Sequence, residues 1–202
     1  MMSGVNNHNG AAVTSGVTDP YALPEGLPIP SDDGGCNHLY GLKLPEVRLP
    51  STMGSIIDPS TLGGMVVIYC YPRTGKPGAQ LPEGWDDIPG ARGCTPQACT
   101  FRDLNAEFNV CGAQLFGMST QTTEDQQECA TRLHLPFPLL SDDRLQFTNA
   151  LKLPTHEVHG MTLIKRLTLV VHEGIIRKVF YPIFPPTLNA QEVLKFIKCG
   201  MR

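Results

Sequence analysis

The sequence predicts an α/β sandwich built on a mixed central sheet. Strand-like runs alternate with stretches of helical apolar spacing from residue 65 onward. The run 65–71 (MVVIYCY) is apolar throughout, as expected of a strand covered on both faces. Near the end, two strand-like runs flank a turn at Gly174 and read as a hairpin, which adds antiparallel pairing to an otherwise α/β order.

The elements follow in order. Residues 1–35 are dominated by Asn, Gly, Ser, Thr and Pro without apolar periodicity and read as a disordered extension. The folded domain is assigned to residues 36–202. Segment 42–49 (LKLPEVRL) alternates weakly around Pro45, which allows an edge strand. Strand 65–71 stops at Pro72, and a Gly- and Pro-rich loop follows over 73–93, with Trp85 inside it. A loop of that length in a compact domain is usually functional or mobile.

Residues 95–110 show helical spacing, with Ala98, Phe101 and Phe108 on one face. Pro96 is tolerated only in a first turn, so the helix begins close to Cys94. A strand is expected over 113–119, an amphipathic helix over 124–134 and a short strand over 137–140. Asp142 and Asp143 read as caps for a helix ending near 150 rather than as a catalytic dyad. Strands over 167–171 and 175–181 and a helix over 190–198, capped by Asn189, complete the chain.

Bulk properties narrow the function. The 202 residues include 41% hydrophobic and 17% charged side chains, with a net charge of −3. This balance offers no basic surface for nucleic acid. The run 65–71 is too short to span a bilayer. The first thirty residues hold no Lys or Arg and no apolar h-region, so the reading is cytoplasmic. Seven cysteines, an odd number, fit a reducing compartment better than a disulfide framework.

The informative segment is Gly93-Cys94-Thr95-Pro96-Gln97-Ala98-Cys99-Thr100-Phe101-Arg102-Asp103. A cysteine opening a helix faces unpaired N–H groups and the positive end of the dipole, which favour a thiolate nucleophile. Arg92 and Arg102 are near in sequence and are expected to add positive charge. Cys99 is expected on the polar face with Arg102, Asp103 and Ala106, about 140° around the helix from Cys94 and roughly 8–9 Å away. A disulfide needs less than about 7 Å, so the two bond only if the first turn unwinds.

The stretch GCTPQACTFRD resembles the active-site helix of the peroxiredoxins of the AhpC/TSA superfamily, most closely the bacterioferritin-comigratory (peroxiredoxin Q) subgroup. The likeness runs over residues 42–197 and includes Tyr71-Pro72, Leu139-Leu140-Ser141-Asp142 and Arg166-Leu167-Thr168-Leu169. It implies a thioredoxin-like fold, with Cys94 as the peroxidatic cysteine and Cys99 as the resolving one. It also implies Arg166 as the conserved active-site arginine. The implied reaction is reduction of hydrogen peroxide or an alkyl hydroperoxide, with recycling by thioredoxin or a similar dithiol. No metal or organic cofactor is implied, and a monomer or homodimer is expected.

One departure stands out. The family pattern places Thr or Ser four residues after the proline and cysteine three further on. Here the cysteine is delayed by the insertion around Trp85, and the residue three before it is Ala91. Thr74 is the candidate to supply the missing hydroxyl. Among the remaining residues, Cys70 and Cys111 read as core thiols, and Cys36, Cys129 and Cys199 as incidental. Trp85 reads as a packing anchor, with substrate contact as the alternative. His156 and His159 have no cysteine pair at zinc-ligand spacing beside them. The competing function is a non-enzymatic thioredoxin-fold redox sensor or binding protein, to which the insertion and Ala91 point.

Overall fold

The computed structural model describes residues 23–200. Two short strands, β1 (Leu49–Pro50) and β2 (Ile56–Ile57), pair antiparallel ahead of β3 (Met65–Cys70). Helices α1 (Cys94–Asp103) and α2 (Asn105–Val110) lead to β4 (Ala113–Ser119), α3 (Thr123–Arg132) and β5 (Leu139–Ser141). Then come α4 (Gln146–Leu151), the hairpin β6 (Thr155–Val158) and β7 (Met161–Ile164), strands β8 (Leu167–His172) and β9 (Ile175–Phe180), and α5 (Asn189–Gly200).

The main sheet has the order β5-β4-β3-β8-β9. Strands β3, β4 and β5 run parallel, while β8 is antiparallel to both β3 and β9. The sheet is therefore mixed, with β3 at its centre. Side chains of β3 alternate between two cores, as the two-residue period of a strand requires. Met65, Val67 and Tyr69 enter a core shared with α1, α3 and α5. Val66, Ile68 and Cys70 enter one shared with α4 and the segment around Leu39. The order of strands and helices agrees with the thioredoxin-like sandwich expected from the sequence.

Close approach fixes one residue of β4. A Cβ at Gly117 would lie 2.7 Å from the Tyr69 hydroxyl and collide with Leu139 Cδ2. Tyr69 itself stacks on Phe101 at 4.5 Å, so it has nowhere to retreat. Gly117→Ala is expected to lower stability by about 1–3 kcal/mol, the usual cost of overpacking, measured as a shift of the urea midpoint. An unchanged midpoint would contradict this packing.

Several sequence expectations need correction. Segment 42–49 is not a strand: Lys43 makes one isolated bridge to Ile175, and regular pairing begins only at Leu49. Pro45 lacks the N–H a ladder requires. The helix expected over 95–110 is interrupted at Leu104 (φ −95°, ψ 3°). Phe101 and Phe108 still meet, at 5.8 Å between ring centroids, so the break leaves the buried face intact. The β6–β7 hairpin has no counterpart among the elements expected from the sequence.

Asp142 is a cap, as expected, but it acts from a distance. Its carboxylate accepts from the backbone N–H of Phe147 and Thr148, at 3.0 and 2.8 Å. Asn189 is not free to cap α5 with its carbonyl oxygen, because Oδ1 is engaged by Gln97 and Thr168. Residues 1–22 of the expected extension lie outside the described residues. Its later part differs from a disordered tail: Asp33 accepts from Lys165 Nζ and from the Tyr181 hydroxyl, each at 2.7 Å. These partners hold the Asp33 carboxyl well below the usual carboxylate range, Lys165 contributing most. A cation and a hydroxyl donor thus compensate for ordering the segment.

Candidate active site

Cys94 is the first residue of α1, and Gly93 before it has φ 96°. That left-handed conformation suits glycine, and a side chain there would strike Pro186. The chain can therefore turn sharply from the insertion into the helix only with glycine at 93. The N–H groups of the opening turn lack intrahelical acceptors, and Pro96 carries none. Cys94 is buried, with 5% of its surface exposed, and its thiol lies 3.5 Å from the Ala91 carbonyl.

Arg166 immediately precedes β8, and its guanidinium reaches across to the start of α1. Nη2 lies 3.1 Å from Cys94 Sγ and donates to the carbonyls of Ala91 and Arg92 at 3.2 and 3.0 Å. Nε donates to the Gly90 carbonyl at 3.3 Å, and Nη1 to Gln97 Oε1. Gln97 in turn donates to Asn189 Oδ1 at 3.0 Å, which also accepts from Thr168 at 2.7 Å. Gln97, Thr168 and Asn189 are all fully buried.

The charge balance of this arrangement is uneven. Arg166 is 3% exposed, and its hydrogen-bonding partners among the described residues are neutral oxygens and the Cys94 sulfur. A buried cation without an anion is costly. Among its hydrogen-bonding partners Cys94 is the ionisable one, and an ionised sulfur there would complete the pair. The two arginines expected to help are engaged elsewhere. Arg92 pairs with Asp86 at 2.5 Å, and Arg102 binds Asp103 and the Leu133 carbonyl.

Cys99 differs from expectation. It is fully buried in the same core as Cys94 rather than on a polar face, because α3 and the segment around Leu133 cover that side of α1. Burial pushes its thiol upward, against the opposing influence of Arg102, so it is held in the protonated form. All seven cysteines are free thiols in this structure.

Thr74 lines the same cavity as Cys94. Its N–H donates to Gln121 Oε1 at 2.7 Å, and its hydroxyl donates to the same atom at 3.3 Å. Gln121 Nε2 returns a bond to the Thr74 carbonyl at 3.1 Å. A donating hydroxyl keeps lone pairs for accepting. Thr74 also lies beside Cys129, whose thiol burial pushes up to about 11 against the lowering effect of that hydroxyl. Cys129, read from the sequence as incidental, is therefore a buried neighbour of the site. Cys111, by contrast, is only half-buried.

The insertion has a small core of its own. Trp85 and Ala91 pack with Val158 and Leu163 of the β6–β7 hairpin, and His159 bonds the Glu83 carbonyl at 3.0 Å. His156 is half-buried, and burial lowers its imidazole with Lys165 reinforcing the shift. Sequence reasoning missed Gln97 as a partner of the arginine and Asn189 as the residue that holds Gln97. Gln97 stands one turn after Cys94, a spacing that shares a helix face. Nothing local marks Asn189, which comes from the far end of the chain.

The Redoxin family model matches residues 40–195. The chain is 33% identical over 156 residues to chloroplastic peroxiredoxin Q of Sedum lineare, covering 76% of this chain and 75% of that protein. It is 30% identical over 179 residues to that of Populus jackii, covering 85% and 76%. Among solved structures, the peroxidoxin BcpB of Mycobacterium tuberculosis superposes with a TM-score of 0.66 at 26% identity, covering 81% of this chain and 97% of that one. The plant relatives are chloroplastic by name. No helix among the described residues is long and apolar enough to cross a membrane. The likeness covers the sheet, the cysteine-bearing helix and the arginine alike, and the chain belongs to the AhpC/TSA peroxiredoxins, in their peroxiredoxin Q and bacterioferritin-comigratory subgroup, which are thiol-dependent peroxidases.

Proposed function

We propose that Cys94 is the peroxidatic nucleophile, activated by Arg166, and that Cys99 resolves its oxidised form. The observation that carries this is the buried guanidinium 3.1 Å from the sulfur, with neutral groups as its other partners. The Cys94 thiolate attacks the terminal oxygen of ROOH, and the O–O bond breaks. Sulfur gains the OH as a sulfenic acid, and RO⁻ leaves, taking a proton to become ROH. Arg166 and the opening N–H groups of α1 stabilise the charge developing on oxygen.

Resolution requires the first turn of α1 to unwind. The Gln97 backbone N–H to Gly93 carbonyl bond (3.0 Å) and the Gln97 side-chain contacts must break. The Cys99 thiol then attacks the sulfenic sulfur, and water leaves as the disulfide forms. Its protonated, buried state delays it until the turn opens. Cys99→Ser is expected to complete one turnover and then accumulate sulfinic acid at Cys94. Intact-mass spectra against peroxide dose check this, and equal resistance of both proteins would remove Cys99 from the role.

Thr74 is assigned to position the peroxide by accepting from its O–H. Thr74→Val is expected to slow sulfenic acid formation about tenfold, with Thr74→Ser retaining most of the rate. Equal rates in all three proteins in stopped-flow oxidation would assign the hydroxyl a purely structural part. Reduction of the Cys94–Cys99 disulfide is assigned to thioredoxin or a similar dithiol, by thiol–disulfide exchange. The catalytic domain spans residues 36–202, with 1–35 as an extension, and the active form is a monomer or homodimer. A cytoplasmic compartment is assigned on the odd cysteine count, which fits a reducing environment better than a disulfide framework.

A further inference from the structure

We propose that Gln97 is a positioning residue for the peroxidase reaction: by gripping Arg166 with a neutral oxygen, it leaves the arginine's charge to the Cys94 sulfur. The inference rests on the peroxidase reading above. Arg166 Nη1 donates to Gln97 Oε1, while Nη2 reaches Cys94 Sγ at 3.1 Å. One guanidinium therefore meets both the helix side chain and the nucleophile. Its other partners are the backbone carbonyls of Gly90, Ala91 and Arg92. A carboxylate at any of these contacts would draw the same charge and leave less of it to stabilise an ionised sulfur.

A chain of hydrogen bonds dictates an amide at this position. A guanidinium only donates, so Gln97 must turn its oxygen toward Arg166. Its nitrogen then faces Asn189, whose Oδ1 accepts from it at 3.0 Å and from the Thr168 hydroxyl at 2.7 Å. Gln97, Thr168 and Asn189 are fully buried, so no solvent stands in for a missing partner. An amide meets both demands, one acceptor and one donor, without net charge. A glutamate would turn its second oxygen toward Asn189 Oδ1. Asn189 Nδ2 is buried with no hydrogen-bond acceptor among the described residues. Turning the Asn189 amide over would offer the carboxylate one N–H and the Thr168 oxygen the other. The site therefore accommodates glutamate, and the property that changes most is charge.

The other groups around the sulfur supply no anion in its place. Tyr69, Tyr71, Cys99 and Cys129 share its core, and burial pushes each of them upward, toward the protonated form. Arg73 and Arg92 line the cavity at Cys94, and Arg92 is paired with Asp86. From the last part of the chain, the neutral Pro186 and Asn189 face this turn. The side chain at the Gln97 position thus decides whether Arg166 meets a second negative group.

The test follows alkylation of Cys94 by iodoacetamide against pH in the full-length reduced protein, with the modified residue identified by peptide mass. The thiolate is the reactive form, so the midpoint of this profile reports its ionisation. Gln97→Glu is expected to move the midpoint upward by about one pH unit or more. Oxidation by hydrogen peroxide should slow below the new midpoint and recover above it, which a merely structural loss would not do. Gln97→Met removes the acceptor without adding charge and is expected to move the midpoint less. A midpoint unmoved by Gln97→Glu, or moved as far by Gln97→Met, overturns the assignment. Should Gln97→Glu not fold, Asn189→Asp reads the same quantity. It keeps the acceptor for Gln97 and Thr168 and stands at the start of α5, where a carboxylate is favoured by the helix dipole. A smaller upward shift is expected there, and no shift overturns the assignment. Wild-type Cys94 left unoxidised by hydrogen peroxide overturns the peroxidase reading instead, whatever the alkylation profiles show.

Discussion

Cys94→Ser is expected to reduce peroxide turnover by a factor on the order of 10⁴ or more, the scale seen when a nucleophile is removed from a cooperating catalytic unit. The fold should survive, because serine is close in size and the sulfur makes only one weak contact as a donor, at 3.5 Å. The hydroxyl is a far poorer nucleophile than an ionised sulfur. It also leaves Arg166 facing a neutral group, so the buried charge goes unmatched. A steady-state assay with a dithiol reductant, combined with an unfolding curve, separates lost chemistry from lost structure. Wild-type turnover in the serine variant would end the assignment of Cys94.

Arg166→Ala is the second large effect. Removing a preorganised donor at a developing oxyanion costs about 10²–10³ in rate, and here the same change removes the cation beside the thiol. Arg166→Lys should restore little of this. A lysine is a point charge without the planar fork, whereas Arg166 binds Gly90, Ala91, Arg92, Gln97 and Cys94 together. Stability should fall as well, by about 3 kcal/mol, because buried carbonyls lose their donor and such losses cost about 1–3 kcal/mol each. Single-turnover oxidation read against urea midpoints checks both parts. A variant with lowered stability but undiminished oxidation rate would make Arg166 a structural tie for the insertion only.

How far the sequence carries this picture depends on the range of the interaction concerned. Strand β3 was legible because each residue from Met65 to Cys70 is buried and apolar. The start of α1 was legible because Pro96 is confined to a first turn. The hidden face of Cys99 was not. Helical periodicity places it with Arg102 and Asp103, but coverage by α3 depends on a parallel crossover that no local pattern reveals. The same holds for Asn189, which reads as a cap and instead closes a chain of hydrogen bonds from Arg166 through Gln97 to Thr168. Arg166 itself emerged only through family likeness, and its unmatched charge only through the folded geometry. The resemblance pointed to Cys94, Cys99 and Arg166 as the proposed site. Physical packing explains why the insertion around Trp85 stays beside them.

The most direct measurement is peptide mapping of the reduced protein after one equivalent of hydroperoxide, quenched by rapid thiol alkylation. The account predicts that Cys94 becomes the oxidised residue, first as sulfenic acid and then in a bond to Cys99, while Cys36, Cys70, Cys111, Cys129 and Cys199 are alkylated as thiols. Recovery of Cys94 as an alkylated thiol, with the oxidising equivalent on any other cysteine, would contradict it.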